Sequence, residues 1–192
     1  MFKKLTLLAI FAMCSLYVQA QENESNDKPS KFGFTAGYIQ SELNSEYINK
    51  TDQPIPFSTV PIGGEGLFLG VTFDAEIAKD LGVSSEFLWA FTYNGAHHWR
   101  LNTLLKYRLF SSKFHLLAGP EIKMIDSDAP NNDHGNRFGL NVTGGLEYDI
   151  SNRYSVYFKY SEELTNRYNG GVLEDDYKGS YSGFRLGLKF KF

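Results

Sequence analysis

From Lys31 onward, polar and apolar residues alternate with a period of two. In the closing stretch GFRLGLKFKF, Phe184, Leu186, Leu188, Phe190 and Phe192 are apolar, and Arg185, Gly187, Lys189 and Lys191 stand between them. Successive side chains of a strand point to opposite sides, so this pattern predicts a strand with one apolar and one polar face. Seven earlier segments read the same way, at about 31–42, 66–77, 81–93, 98–109, 113–125, 137–149 and 153–163. In the second, Leu67, Leu69, Val71, Phe73 and Ala75 oppose Thr72, Asp74 and Glu76; in the sixth, Phe138, Leu140, Val142, Leu146 and Tyr148 oppose Asn141, Thr143, Glu147 and Asp149. No run of ten residues carries a helical stripe, so the chain is expected to be all-β.

Segment length and the connections narrow the architecture. The segments run to roughly ten to thirteen residues, against about five or six for a soluble strand and nine to eleven for a tilted strand crossing a bilayer. Connections alternate in length. Long or medium ones fall at 43–65, around Asn94 to His97, at 126–136 and at 164–179, and tight ones at 78–81, 110–112 and 150–152. Short turns at one end and longer loops at the other are a mark of membrane barrels. The expectation is an eight-stranded antiparallel up-and-down transmembrane β-barrel over residues 31–192.

Alternation alone does not say which face meets which solvent. A lipocalin-like soluble barrel would turn the apolar face inward around a ligand, and a membrane barrel would turn it outward. The aromatic residues favour the second. Trp89, Phe91, Tyr93 and Trp99 flank one connection, and Phe114, Tyr148, Tyr154 and Phe192 lie towards the opposite end, as two interfacial belts would. The polar face then points inward. It carries Asp74, Glu76, Glu86, Glu121, Glu147 and Asp149 with Arg100, Lys106, Arg108, Lys123, Lys159, Arg185, Lys189 and Lys191. Eight strands leave room only for side chains, so these charges are expected to pair with one another and to plug the lumen, which argues against a general diffusion pore.

Composition agrees. The formal net charge is −3, which gives nucleic acid no basic surface to bind. The mean hydropathy of −0.31 argues against a helical membrane protein but does not test a barrel. The first twenty residues, MFKKLTLLAIFAMCSLYVQA, read as a signal peptide cleaved after Ala20, followed by a polar tether over 21–30. Cys14, the single cysteine, lies in that leader, and Met13 before it suits lipidation poorly, so the exported chain would have no disulfide.

The leader ending Val18-Gln19-Ala20, the small-residue strands such as GLNVTGGLEYDI (139–150), and the terminal Gly187-x-x-Phe190-x-Phe192 carry a resemblance. The chain resembles the small OmpA/OmpX-like outer-membrane barrels, most of all the outer membrane protein beta-barrel domain group common in Bacteroidota. This implies localisation in the bacterial cell outer membrane, lipid and lipopolysaccharide as surroundings, and both termini in the periplasm. It also implies that the insertion machinery reads Gly187, Phe190 and Phe192. Activities in the family are mixed, so the resemblance implies an architecture and not a reaction.

Candidate chemistry is sparse. His97 and His98 are adjacent in a strand, so they point to opposite faces and chelate poorly. The 126–136 connection offers Asp126, Asp128, Asn131, Asn132 and Asp133 without the spacing of a calcium loop. Ser161 and Glu163 share a face with no histidine nearby in sequence, which leaves a hydrolase without its base. No catalytic residue, metal ligand or cofactor is assigned. The leading expectation is a non-enzymatic structural or surface-interaction role carried by loops 43–65, 126–136 and 164–179, which could meet a protein partner. A soluble periplasmic ligand-binding barrel and a membrane-embedded lipid or peptide hydrolase are the alternatives.

Overall fold

The computed structural model describes residues 30–47, 64–93, 97–110, 112–126, 137–167 and 177–192. The leader, the tether up to residue 29, and Asp128, Asn131, Asn132, Asp133 and His134 lie outside the described residues. Eight strands follow in chain order: β1 (Lys31–Tyr47), β2 (Glu65–Ala78), β3 (Leu81–Thr92), β4 (His97–Arg108), β5 (Phe114–Asp126), β6 (Phe138–Asp149), β7 (Tyr154–Glu163) and β8 (Tyr177–Lys191). Each pairs antiparallel with its sequence neighbours, and β8 pairs with β1 to close the barrel. The connections 79–80, 109–113 and 150–153 lie at the end that carries Lys31 and Phe192; at the opposite end lie Tyr47, Glu65, Thr92, His97, Asp126, Phe138, Glu163 and Tyr177, the strand ends that the other connections join. We call these the turn end and the loop end.

The register fixes the stagger. From Gly33 the pairing leads through Thr72, Glu86, Asn102, Glu121 and Asn141 to Glu163. One residue past the last β7–β8 pair it reaches Tyr181, which pairs with Leu43, ten residues up the strand from Gly33. For eight strands this stagger inclines them at about 40° to the axis. Pro120, mid-strand in β5, has no N–H to donate, and the β4–β5 pairing skips Thr103 and Leu104 opposite it.

Four boundaries differ from the sequence reading. β1 runs to Tyr47 and β8 begins at Tyr177, so 43–47 and 177–179, together with Glu65 and Asp126, belong to strands and not to loops. The β1–β8 ladder is the longest in the barrel, running from Gly33↔Lys191 to Tyr47↔Tyr177. Polar stretches such as Gln40 to Asn44 hide it, because period-two alternation of apolar residues is absent where both faces are polar.

The faces are inverted relative to a water-soluble protein. Outward lie Phe32, Phe34, Leu69, Leu105, Val142 and Leu188, all about half exposed. Inward lie Glu86, Arg100, Glu121, Lys123, Glu147, Lys159, Arg185 and Lys189, at 2% exposure or less. A continuous exposed apolar belt on this scale is untenable in water and is what a bilayer requires. Polar residues do not fill the lumen alone. Ile39, Phe68, Leu88, Ala90 and Tyr157 form a buried apolar cluster on one inner wall. The sequence pattern misses it because runs such as LFLGV (67–71) and FLWAF (87–91) are apolar on both faces.

Candidate functional site

The lumen holds the densest chemistry in the molecule. Its turn-side half is a lattice of lysines and carboxylates drawn from several strands. Glu147 on β6 meets the Nζ of Lys106 at 2.5 Å, Lys189 at 2.9 Å and Lys191 at 2.9 Å. Asp74 on β2 lies within 3.3 Å of Lys106 and Lys191 and 3.6 Å of Lys189, and it accepts a hydrogen bond from Ser84 at 2.7 Å. Asp149 takes a further contact from Lys191 at 2.9 Å. Deeper in, Glu86 meets Lys159 at 2.6 Å and Lys189 at 3.0 Å, and Asn102 donates to its second oxygen. Asp74 and Glu86 thus draw partners from three other strands and Glu147 from two, and burial in low dielectric makes the contacts of Glu86 and Glu147 costly to break.

The loop-side half uses guanidinium groups. Glu121 on β5 accepts from Arg100 Nη1 at 2.7 Å and from Arg185 Nη2, so one carboxylate serves two arginines. Arg100 also reaches Ser161 Oγ. Glu163, at the end of β7, pairs with Arg167 at 2.6 Å, takes a hydrogen bond from Thr165, and accepts from the backbone N–H of Tyr181. Gly139 makes this possible: a Cβ there would collide with the Glu163 carboxylate and with Arg167. Lys123 stands over the Tyr181 ring, 3.7 Å from its centroid.

Of the interior charges expected from sequence, Glu86, Arg100, Glu121, Glu147, Lys159 and Arg185 are fully buried in the lumen, and Lys106 is mostly buried. Glu76 is a correction. It has the inward parity but is 46% exposed at the turn-end mouth, where its partner Arg108 is also exposed, because β2 there extends past the enclosed part of the barrel. Arg167 is a lumen residue that the sequence does not announce, since it lies beyond β7 where no periodicity operates. A polar cavity of about 230 Å³ opens at the turn-end mouth between Lys31, Asp74, Arg108, His115, Asp149 and Lys191.

The outward aromatics form two groups. Near the loop end, Trp89 and Trp99 stack at 5.1 Å with an interplanar angle of 2°, flanked by Phe87 on Trp99 and by Phe91 on Trp89. Tyr93 follows just past β3, 75% exposed. Towards the turn end, Phe114 packs on Tyr148, Tyr154 on Phe190, and Phe192 on Phe34 and Phe190. The Phe192 N–H donates to Phe32, which ties the chain's last residue into the β1 wall, while Gly187 faces inward against Tyr157.

The catalytic and metal alternatives find no assembled site among the described residues. His98 faces the lumen at 2% exposure, and His97 lies outside against Trp89 and Phe91. Ser161 is engaged by Arg100 and Glu163 by Arg167, and no histidine bonds to either. No three His, Cys, Asp or Glu side chains among the described residues converge as metal ligands.

The family model for the outer membrane protein beta-barrel domain matches residues 6–192. No curated protein sequence matches the chain. Among solved structures, Neisserial surface protein A superposes with a TM-score of 0.53 at 12% identity, covering 86% of this chain and 100% of that one. OprG from Pseudomonas aeruginosa gives 0.48 at 15% identity, covering 86% and 97%. Ail, the attachment invasion locus protein of Yersinia pestis, solved with the heparin analogue sucrose octasulfate, gives 0.46 at 15% identity, covering 85% and 99%. At these identities the likeness is one of fold. The chain belongs to the outer membrane protein beta-barrel domain family and is an integral protein of the bacterial outer membrane.

Proposed function

We propose that this outer-membrane barrel serves a non-enzymatic, surface-interaction role carried by its loop-end connections, with the turn end and both chain ends on the periplasmic side. The observation that carries the reading is the packed lumen. Among the described residues, buried ion pairs drawn from several strands fill the barrel interior, and Ser161 and Glu163 are held by Arg100 and Arg167. What remains free to differ is the sequence between strands at the loop end, and binding residues commonly sit on loops held by a rigid scaffold. The aromatic groups at the two rims serve as membrane-interface anchors, and Phe190 and Phe192 present the outward aromatic face that the insertion machinery would grip.

The test compares cells displaying the full chain with cells in which residues 48–63, 127–136 and 168–176 are each cut to an Asn-Gly turn. Adherence to surfaces coated with matrix proteins, glycans or other cells is the readout. The trimmed barrels are expected to insert and to keep their heat-modifiable mobility on gels, and adherence is expected to fall for at least one. Unchanged adherence for all three, solute flux through the purified barrel, or turnover of lipid A or peptide would overturn the proposal.

A further inference from the structure

The two halves of the lumen close their charge differently. In the turn-side half each lysine has a carboxylate within 2.9 Å: Lys106, Lys189 and Lys191 on Glu147, and Lys159 on Glu86. In the loop-side half the described carboxylates are already shared. Glu121 serves Arg100 and Arg185, and Glu163 serves Arg167, Thr165 and a backbone N–H. Lys123 is left over. It is fully buried, and among the described residues its Nζ has no hydrogen-bond partner and takes part in no ion pair. Its cross-strand neighbours are Arg100, another cation, and Gly139, which has no side chain. The Tyr181 ring under Nζ offers a cation–π contact, but Arg167 approaches the same ring at 5.3 Å. Such a contact recovers only part of what burying an ammonium costs. Arg100 Nε and Arg185 Nε and Nη1, whose guanidinium groups share Glu121, also carry N–H groups that meet no acceptor among the described residues.

We propose that the loop-side half of the lumen binds a compact inorganic anion of halide size, with Lys123 as its principal ligand and the uncommitted N–H groups of Arg100 and Arg185 as further donors. Enclosure sets the size, since Arg100, Lys123 and Arg185 are at most 2% exposed. Charge sets the sign, because the acids in reach are spent on the arginines and Thr165. The anion would be structural, completing in this half the charge closure that Glu147 provides in the other.

The test uses the full chain refolded into detergent micelles. Thermal unfolding is followed while chloride replaces gluconate at constant ionic strength, with phosphate and sulfate as separate arms. Chloride and bromide are expected to raise the midpoint saturably, the bulkier oxyanions less or not at all, and Lys123→Met is expected to abolish the dependence. A wild-type midpoint indifferent to the anion, or an equal rise in Lys123→Met, would overturn the proposal, and a larger response to phosphate or sulfate would overturn the size assignment. Should Lys123→Met fail to fold, crystals of the wild-type chain grown with bromide decide the matter. An anomalous peak at contact distance from Lys123 Nζ supports the site. Its absence, with Nζ touching only the Tyr181 ring, means a neutral lysine and no anion.

Discussion

The turn-side and loop-side halves of the lumen face the same problem, which is ionised groups away from water. The turn-side half solves it with flexible lysines that converge on shared carboxylates. Lys189 alone touches Asp74, Glu86 and Glu147, and also donates to Ser84. The loop-side half relies on planar guanidinium groups, aromatic rings and a glycine-made recess. It leaves one ammonium, Lys123, without a carboxylate. The difference teaches that a filled barrel is not automatically a neutral one. Point-like ammonium groups on long stems can satisfy several acids at once, whereas arginines spend an acid on a fixed geometry.

The largest effect should come from breaking the turn-side lattice at its hub. Glu147→Gln leaves Lys106, Lys189 and Lys191 short of a shared counter-charge, and a loss of about 3–5 kcal/mol is expected in denaturant titrations of the refolded barrel. A loss under 1 kcal/mol would show the lattice to be water-penetrated. The comparison between halves also assumes that the outer wall is the lipid side. Val142→Arg, half exposed on the outer face of β6, should cost about 2–4 kcal/mol in bilayers and lower insertion, and an unaffected protein would contradict the assignment of faces. In halide-free medium Lys123→Met should do the opposite of Glu147→Gln, gaining about 1 kcal/mol, because it removes an unpaired buried cation. A loss of stability there would mean that the Tyr181 contact outweighs the burial cost. The smallest effect belongs to the exposed rim. Arg108→Ala, which breaks the pair with Glu76 at 3.3 Å, should change stability by less than about 1 kcal/mol and lose even that in high salt.

Much of this lumen was legible as a list of residues and little of it as a set of contacts. The inward parity of Glu86, Arg100, Glu121, Glu147, Lys159 and Arg185 follows from alternation. The same parity misplaces Glu76, because it says which way a side chain points and not whether the barrel still encloses it at that depth. Phe68, Leu88 and Ala90 escaped because their neighbours are also apolar, and Arg167 because it belongs to no strand. The length of β1 and β8 was hidden by the polar faces of Gln40 to Asn44 and of the start of β8.

The sequence by itself determined the strands, their order and their two faces. These depend on period-two alternation, on segment length against membrane thickness, and on turn spacing, all local quantities. Tertiary structure alone decided which charges meet. Lys106 and Glu147 are 41 residues apart, Arg185 and Glu121 are 64 apart, and Lys189 and Ser84 are 105 apart. None of these pairs sits on neighbouring strands. They face each other across the lumen only because closing eight strands with a stagger of ten residues rotates each strand's inner face to a fixed depth. No local pattern encodes that depth. The unpaired position of Lys123 arises the same way, from a register that sets it beside Arg100 and Gly139 and away from any free carboxylate among the described residues.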